Sequence, residues 1–194
     1  LNEVRKAVRG SRVLVLGAGG KMGLHLSVML RRALAPLGRA DDVLAVSRFR
    51  TLRDREDFTR LGVATLAADL EDGAQLAALP EASTVFFLAG VKFGTAASPE
   101  LLRRVNVELP RRVGERFHAA RIAAFSTGCV YPFVTPAGGG ATEETTPAPV
   151  GDYALSCLGR EESFAEVSRR QGTRVALIRL NYSVEFRYGL LVDI

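Results

Sequence analysis

Short apolar runs alternate with longer stretches in which apolar residues recur at helical spacing, and the alternation repeats along the whole chain. Arg12–Gly17, Val43–Ser47, Val63–Ala68, Thr84–Ala89, Arg121–Ser126 and Arg174–Leu180 are nearly continuous in apolar residues, as strands covered on both faces are. Helices are predicted between them at Lys21–Leu37, Thr51–Leu61, Asp72–Leu79, Pro99–Ala119 and Asp152–Gln171. In the first helix Met22, Leu26, Met29, Leu30 and Ala33 share one face. Pro110 must kink or divide the fourth, since proline brings no amide to the helix ladder. Gly172 is placed to end the last one. No hairpin signal joins any two runs. The pattern therefore predicts one α/β domain over residues 1–194, a doubly wound parallel sheet with helices on both faces and right-handed crossovers. Thr135–Val150 (TPAGGGATEETTPAPV) is the one low-complexity stretch, and it falls between a strand and a helix at the carboxyl end of the sheet. That position reads as the rim of a ligand site.

Composition narrows the function. With 47% hydrophobic and 24% charged residues the chain is an ordinary globular protein, not a disordered one. A formal charge of +5 raises the question of nucleic acid. The arginines, however, are scattered in pairs (Arg31–Arg32, Arg103–Arg104, Arg111–Arg112, Arg169–Arg170) without interleaved aromatics, so no nucleic-acid partner is expected. No apolar run approaches the roughly 18 residues that a membrane span needs. The start of the chain, LNEVRKAVRG, lacks the apolar centre of a signal peptide, so a cytoplasmic location is expected. Two cysteines, Cys129 and Cys157, and two histidines, His25 and His118, give neither a disulfide framework nor metal-ligand spacing. Taken alone, each cysteine reads as a small buried hydrophobe. Lysine occurs only at Lys6, Lys21 and Lys92.

The strongest motif is Gly17-Ala-Gly-Gly-Lys-Met-Gly23, directly after a strand and opening a helix. Gly17 permits the tight turn, Gly20 leaves the backbone open to a pyrophosphate, and Gly23 allows close packing. The helix start beside Lys21 and Met22 offers amides and partial positive charge to phosphates. This is a Rossmann-type site for NAD or NADP. The G-x-x-G-x-x-G spacing resembles that of the extended short-chain dehydrogenase/reductase family, which includes the NAD-dependent epimerases and dehydratases.

Further segments fall in the family's order. After the second strand, Ser47-Arg48 stands where an NAD-specific member would carry an acid for the ribose 2′-hydroxyl. Arg48 could pair with a 2′-phosphate, with Arg50 and Arg53 as rivals, which mildly favours NADP. The resemblance implies an adenine contact at Asp69-Leu70, a dinucleotide-contacting segment at Leu88-Ala89-Gly90-Val91-Lys92, and a framework asparagine at Asn106.

Ser126-Thr-Gly-Cys-Val-Tyr131 resembles the family's S-[ST]-x-x-V-Y, which implies that Thr127 hydrogen-bonds the substrate oxygen. Gly151-Asp-Tyr-Ala-Leu-Ser-Cys-Leu-Gly-Arg-Glu161 resembles the Y-x-x-x-K helix, with Tyr153 as general acid/base. A tyrosine needs its pKa of about 10 brought down for that work, and in the family a lysine one turn on does so. Cys157 occupies that position. Three readings stay open: another cation serves (Lys92, Arg160 or the nicotinamide ring), the chain binds dinucleotide without hydride chemistry, or Cys157 acts as a thiolate. Arg179-Leu-Asn181 resembles the region where the substrate pocket begins, and the likeness thins over Tyr182–Tyr188. The resemblance implies a small-molecule substrate, sugar-nucleotide-like or another carbonyl or alcohol, and a possible homodimer through the helices carrying Asn106 and Tyr153. Gly189–Ile194 reads as the entry to a further, substrate-binding part.

Overall fold

The computed structural model describes residues 8, 10–50, 53–92, 98–181, 184, 185, 188 and 189. Six parallel strands form one sheet: β1 (Val13–Leu16), β2 (Val43–Ser47), β3 (Ala64–Ala67), β4 (Thr84–Phe87), β5 (Arg121–Thr127) and β6 (Arg174–Leu180), in the order β3-β2-β1-β4-β5-β6. The helices are α1 (Gly23–Leu34), α2 (Arg53–Arg60), α3 (Gly73–Ala77), α4 (Pro99–Arg103), α5 (Leu109–Arg116) and α6 (Asp152–Gln171). The strand order reverses beside β1, between β2 and β4, which opens a crevice at the carboxyl ends of β1 and β4. This is the Rossmann-like sheet that the alternation predicts.

Both faces of β1 are buried, and its side chains divide between two cores. Leu14 and Leu16 pack with Phe87, Leu109, Val113 and Phe164 beneath α5 and α6, whereas Val13 and Val15 pack with Leu30, Leu34 and Phe58 beneath α1 and α2. At the sheet edge, Leu177 and Ile178 of β6, which point to opposite faces, stay exposed.

Three local expectations change. Helix α1 begins at Gly23 and ends at Leu34, followed by a 3-10 turn at Ala35–Leu37 that contains Pro36. Its buried face is Gly23, Ser27, Leu30, Ala33 and Leu34, while Met29 is exposed, because the helix axis lies about one residue step away from the face that the apolar residues alone suggest. The predicted helix at Pro99–Ala119 is divided into three helical segments that end at Arg116. Between α4 and α5 it passes through a π-helical turn, Arg104–Glu108, in which the Leu109 amide bonds the Arg104 carbonyl. The wider turn lies just ahead of Pro110, which has no amide to give. Lastly, Val184–Glu185 and Tyr188–Gly189 pair as a short antiparallel ladder, where no hairpin signal is legible. Residues 190–194, the expected entry to another element, lie outside the described residues, as do 51 and 52 at the expected start of α2.

Candidate functional site

The β1–α1 turn is held from below by β2: the amides of Gly17 and Ala18 both donate to the Val46 carbonyl, at 2.9 and 3.0 Å. Gly17 has φ +82°, and a Cβ there would come within 2.5 Å of the Ala89 amide nitrogen. At Gly23 a Cβ would meet the Ala18 carbonyl oxygen at 2.0 Å. Both glycines are therefore demanded by the protein itself. Gly20 is different, since a Cβ would meet only the Gly17 oxygen, at 3.4 Å, and the residue is exposed. What a side chain at Gly20 would fill is the space outside the turn, where a pyrophosphate would lie. Met22 stands at the N-cap of α1 with no side-chain cap and no acidic residue in the first turn, so the positive end of the helix faces that space uncapped. Lys21 is exposed beside it. These residues fit a dinucleotide.

Ser47 ends β2 directly against the turn, and a Cβ on Gly19 would meet its Oγ at 2.6 Å. Gly19 is thus a third close approach, one that the three-glycine spacing does not reveal. Arg48 is exposed, and so is Arg50. Between them Phe49 is buried with φ +38°, an unfavourable backbone for a bulky residue that costs about 1–3 kcal/mol. Its ring is edge-on to Phe58 at 5.3 Å, and Arg55 stands over it at 5.6 Å. Burying that ring offsets the strain and turns the flanking arginines outward. On the next strand the Asp69 amide donates to Gln75 Oε1 and the Asp69 carboxylate accepts from the Glu71 amide, at 2.9 and 3.0 Å. The Leu70 side chain belongs to the core beneath α5 and α6, so only its backbone is open to an adenine. Leu88 and Ala89 are half-buried above β4, and Gly90 and Lys92 are exposed.

The opposite wall is α6. Tyr153 is half-buried, whereas Cys157 is 1% exposed. Burial pushes the Tyr153 phenol well above its usual range, and the hydrogen-bonded Cys157 thiol adds to the shift. Burial also pushes the Cys157 thiol up. Lys92 lies over the Tyr153 ring, 5.2 Å from its centroid. Cys129, expected to be buried, is exposed, because it sits in the turn after β5 whose cap is the Thr127 hydroxyl accepting its amide at 3.2 Å. Cys129 is within electrostatic reach of both Tyr153 and Cys157, which brings Thr127 to the same end of α6. Asn181, just past β6, reaches Gly128, where a Cβ would meet its Oδ1 at 3.1 Å.

Behind this wall two polar clusters are locked together. Asn106 is fully buried in the π-turn and uses its whole amide. Its Nδ2 donates to the Val91 carbonyl and Ser156 Oγ, both at 2.9 Å, and its Oδ1 accepts from the Val91 amide at 3.0 Å and from Arg160 at 2.8 Å. Ser156 Oγ in turn donates to the Tyr153 carbonyl at 2.7 Å. The second cluster joins Ser126 and Arg179 to Glu161: Arg179 Nη2 reaches Glu161 Oε2 at 2.7 Å, and its guanidinium covers the Tyr131 ring at 4.7 Å. The Glu161 carboxylate raises the already high pKa of Arg179 further. Tyr131 is thereby fixed as a framework residue. The sequence motifs contain Asn106, Tyr131 and Glu161 as well as Ser126, Ser156, Arg160 and Arg179, yet carry no signal for how these pair, because the contacts join different elements.

The model of the NAD dependent epimerase/dehydratase family matches residues 13–183. A short-chain dehydrogenase/reductase superfamily protein from Agrobacterium tumefaciens, solved with bound NAD, is 27% identical, with a TM-score of 0.68 over 87% of this chain and 48% of that one. MoeE5, solved with UDP-glucose and NAD, is 25% identical, with a TM-score of 0.66 over 90% of this chain and 55% of that one. The dTDP-glucose 4,6-dehydratase DesIV from Streptomyces venezuelae, solved with NAD and TYD, shares the fold at a TM-score of 0.74 and 22% identity, over 87% of this chain and 55% of that one. The chain spans about half the length of these structures. No curated protein sequence matches it.

Proposed function

The chain belongs to the NAD-dependent epimerase/dehydratase family, and from that premise we propose that it binds NAD(P) and acts as an oxidoreductase, epimerase or dehydratase on a sugar-nucleotide-like substrate. The Gly17, Gly20, Lys21, Met22 and Gly23 turn holds the pyrophosphate. Ser47 and Arg48 hold the adenosine ribose, and Asp69 and the Leu70 backbone hold the adenine. Leu88, Ala89, Gly90 and Lys92 line the path toward the nicotinamide. Asn106, fully buried with its amide used up by Val91, Ser156 and Arg160, supports that segment from behind and does not itself touch the cofactor. The exposed Arg48, with no acid beside it, favours a 2′-phosphate and hence NADP. When bound, the dinucleotide supplies the acceptor or donor of hydride. This chain's part is to orient the substrate oxygen through the Thr127 hydroxyl and to move its proton through the Tyr153 phenol, with Asn181 lining the substrate side.

The observation that carries this reading is the pairing of two features: a turn whose Gly20 nothing inside the protein requires, and an α6 face on which Tyr153 meets Lys92 after β4 and lies within reach of Cys129 just past β5. The test is turnover of UDP- and dTDP-sugars with NAD and with NADP. Tyr153→Phe is expected to lower kcat by about 100-fold or more. Unchanged turnover in a variant that still binds dinucleotide overturns the catalytic reading.

A second reading, a non-catalytic dinucleotide-binding regulator, is favoured by one observation: the Tyr153 phenol is pushed up, with a thiol where a cation would lower it. Cys157→Lys separates the two. A large gain of reductase activity favours a disabled site, and no gain or a loss favours a site built around the cysteine.

A further inference from the structure

Arg160 is 7% exposed, and among the described residues no carboxylate forms an ion pair with it. The adjacent Glu161 is taken by Arg179 and Ser126. Arg160 instead donates to the Phe125 carbonyl and to Asn106 Oδ1, both at 2.8 Å, and lies over the Phe87 ring at 5.8 Å. Its Nε is buried with no partner. A guanidinium keeps its proton even here. Burying such a charge is costly, and neutral dipoles offset only part of that cost. An unbalanced buried cation favours whatever anion can form within its reach.

The candidates follow from helix geometry. Arg160 lies three residues beyond Cys157 and seven beyond Tyr153, close to one and two turns, so all three share one stripe of α6. Helix side chains lean toward the N-terminus, which aims the guanidinium back along that stripe. Gly90 leaves the room it occupies, since a Cβ there would come within 2.4 Å of Arg160 Nη2. The groups that face Tyr153 are Cys157 and Arg160 on α6, Cys129 after β5 and Lys92 after β4. Among the described residues that face it, Arg160 and Lys92 are the cations. Lys92 is exposed and screened by solvent, whereas Arg160 is buried, and Arg160 is the cation that draws the Tyr153 phenol down. The buried cation outweighs the exposed one.

We propose that Arg160 is the fixed cation of this site, a positioning residue that acts on Tyr153 from behind the Asn106–Ser156 cluster and replaces the electrostatic part that the family resemblance assigns to a lysine at position 157. It rests on the reading of Tyr153 as the acid/base. The role is electrostatic alone: with Phe125 and Asn106 holding its guanidinium, Arg160 does not take over the ribose contact. Its charge favours the phenolate of Tyr153, and favours the thiolate of Cys157 as well.

The experiment places a fluorinated tyrosine, more acidic than tyrosine itself, at position 153 and follows its ionisation by fluorine NMR, with and without NAD. Turnover is not needed, so the result stands apart from the catalytic test with Tyr153→Phe. Arg160→Met is expected to raise the titration midpoint by about one pH unit or more, a tenfold tighter hold on the proton. Arg160→Lys, which keeps the charge, is expected to restore most of the shift. Should Arg160→Met not fold, Arg160→Gln retains a donor for Asn106 and carries the same expectation. A midpoint unmoved in the folded neutral variant, or moved equally by Arg160→Lys, overturns the proposal.

Discussion

The two walls of the crevice are built on opposite plans. The β1–α1 wall is backbone: Gly17, Gly19 and Gly23 each leave less than 3 Å for a side chain, and two amides hang on one carbonyl of β2. The α6 wall is side chain: Asn106, Ser156 and Arg160 interlock behind it, and Glu161 clamps Arg179 beside it. Adding an atom harms the first wall, and removing one harms the second. The first suits a ligand part that every dinucleotide shares, and the second suits chemistry that can be retuned by a single exchange. Cys157 illustrates the point. It sits within the α6 wall beside Ser156 and Tyr153, and the Asn106–Ser156–Arg160 and Ser126–Glu161–Arg179 contacts all form with a thiol at that position.

The largest expected effect tests the second wall. Asn106→Ala deprives Val91, Ser156 and Arg160 of buried partners at once, which should cost about 3–5 kcal/mol by chemical denaturation. A loss under about 1 kcal/mol would show that the cluster does not hold the wall together. Gly23→Ala tests the first wall by overpacking. It should cost about 1–3 kcal/mol and lower the thermal midpoint, with dinucleotide affinity falling alongside. Gly20→Ala divides stability from binding, since its Cβ clashes with nothing in the protein. Its thermal midpoint should match the unaltered chain, while calorimetry with NAD or NADP should register a loss of about tenfold or more, roughly 1.4 kcal/mol. Equal affinity would move the pyrophosphate away from the turn.

The smallest effect is in the pH dependence. The folded state keeps the Cys157 thiol protonated to higher pH than the unfolded chain does. Above about pH 8.5 the unfolded state therefore binds fewer protons, and stability falls as pH rises, by at most about 1.4 kcal/mol per unit for this one group. Cys157→Ala should flatten that alkaline decline in denaturant melts. Alkylation offers a direct companion measurement: at pH 8 the exposed Cys129 should react in the folded protein and the buried Cys157 only on unfolding.

Much of this molecule was legible from local pattern. Strands β2 and β6 and helix α6 have the bounds that periodicity assigns, because each is a continuous run with its own stop, such as Gly172 at φ +69°. The glycine turn was legible because its signature falls within seven consecutive residues, although the atoms that demand Gly17 and Gly19, on Ala89 and Ser47, lie on other segments. Where the reading slipped, packing had overruled composition: Met29 points outward, Cys129 is exposed, and the helix around Pro110 widens to a π-turn instead of breaking.

What the sequence determined by itself, then, is the order of strands and helices, the phosphate turn and the absence of lysine at position 157. Those are properties of short segments, set by backbone sterics and side-chain periodicity. Only the tertiary structure decided that Arg160 is buried with no ion-paired carboxylate among the described residues, that Asn106 reaches Val91, Ser156 and Arg160 together, and that Glu161 holds Arg179. These contacts join residues up to 54 positions apart. They exist because the parallel crossovers lay β4, the π-turn and α6 against one another, and no local pattern carries that information.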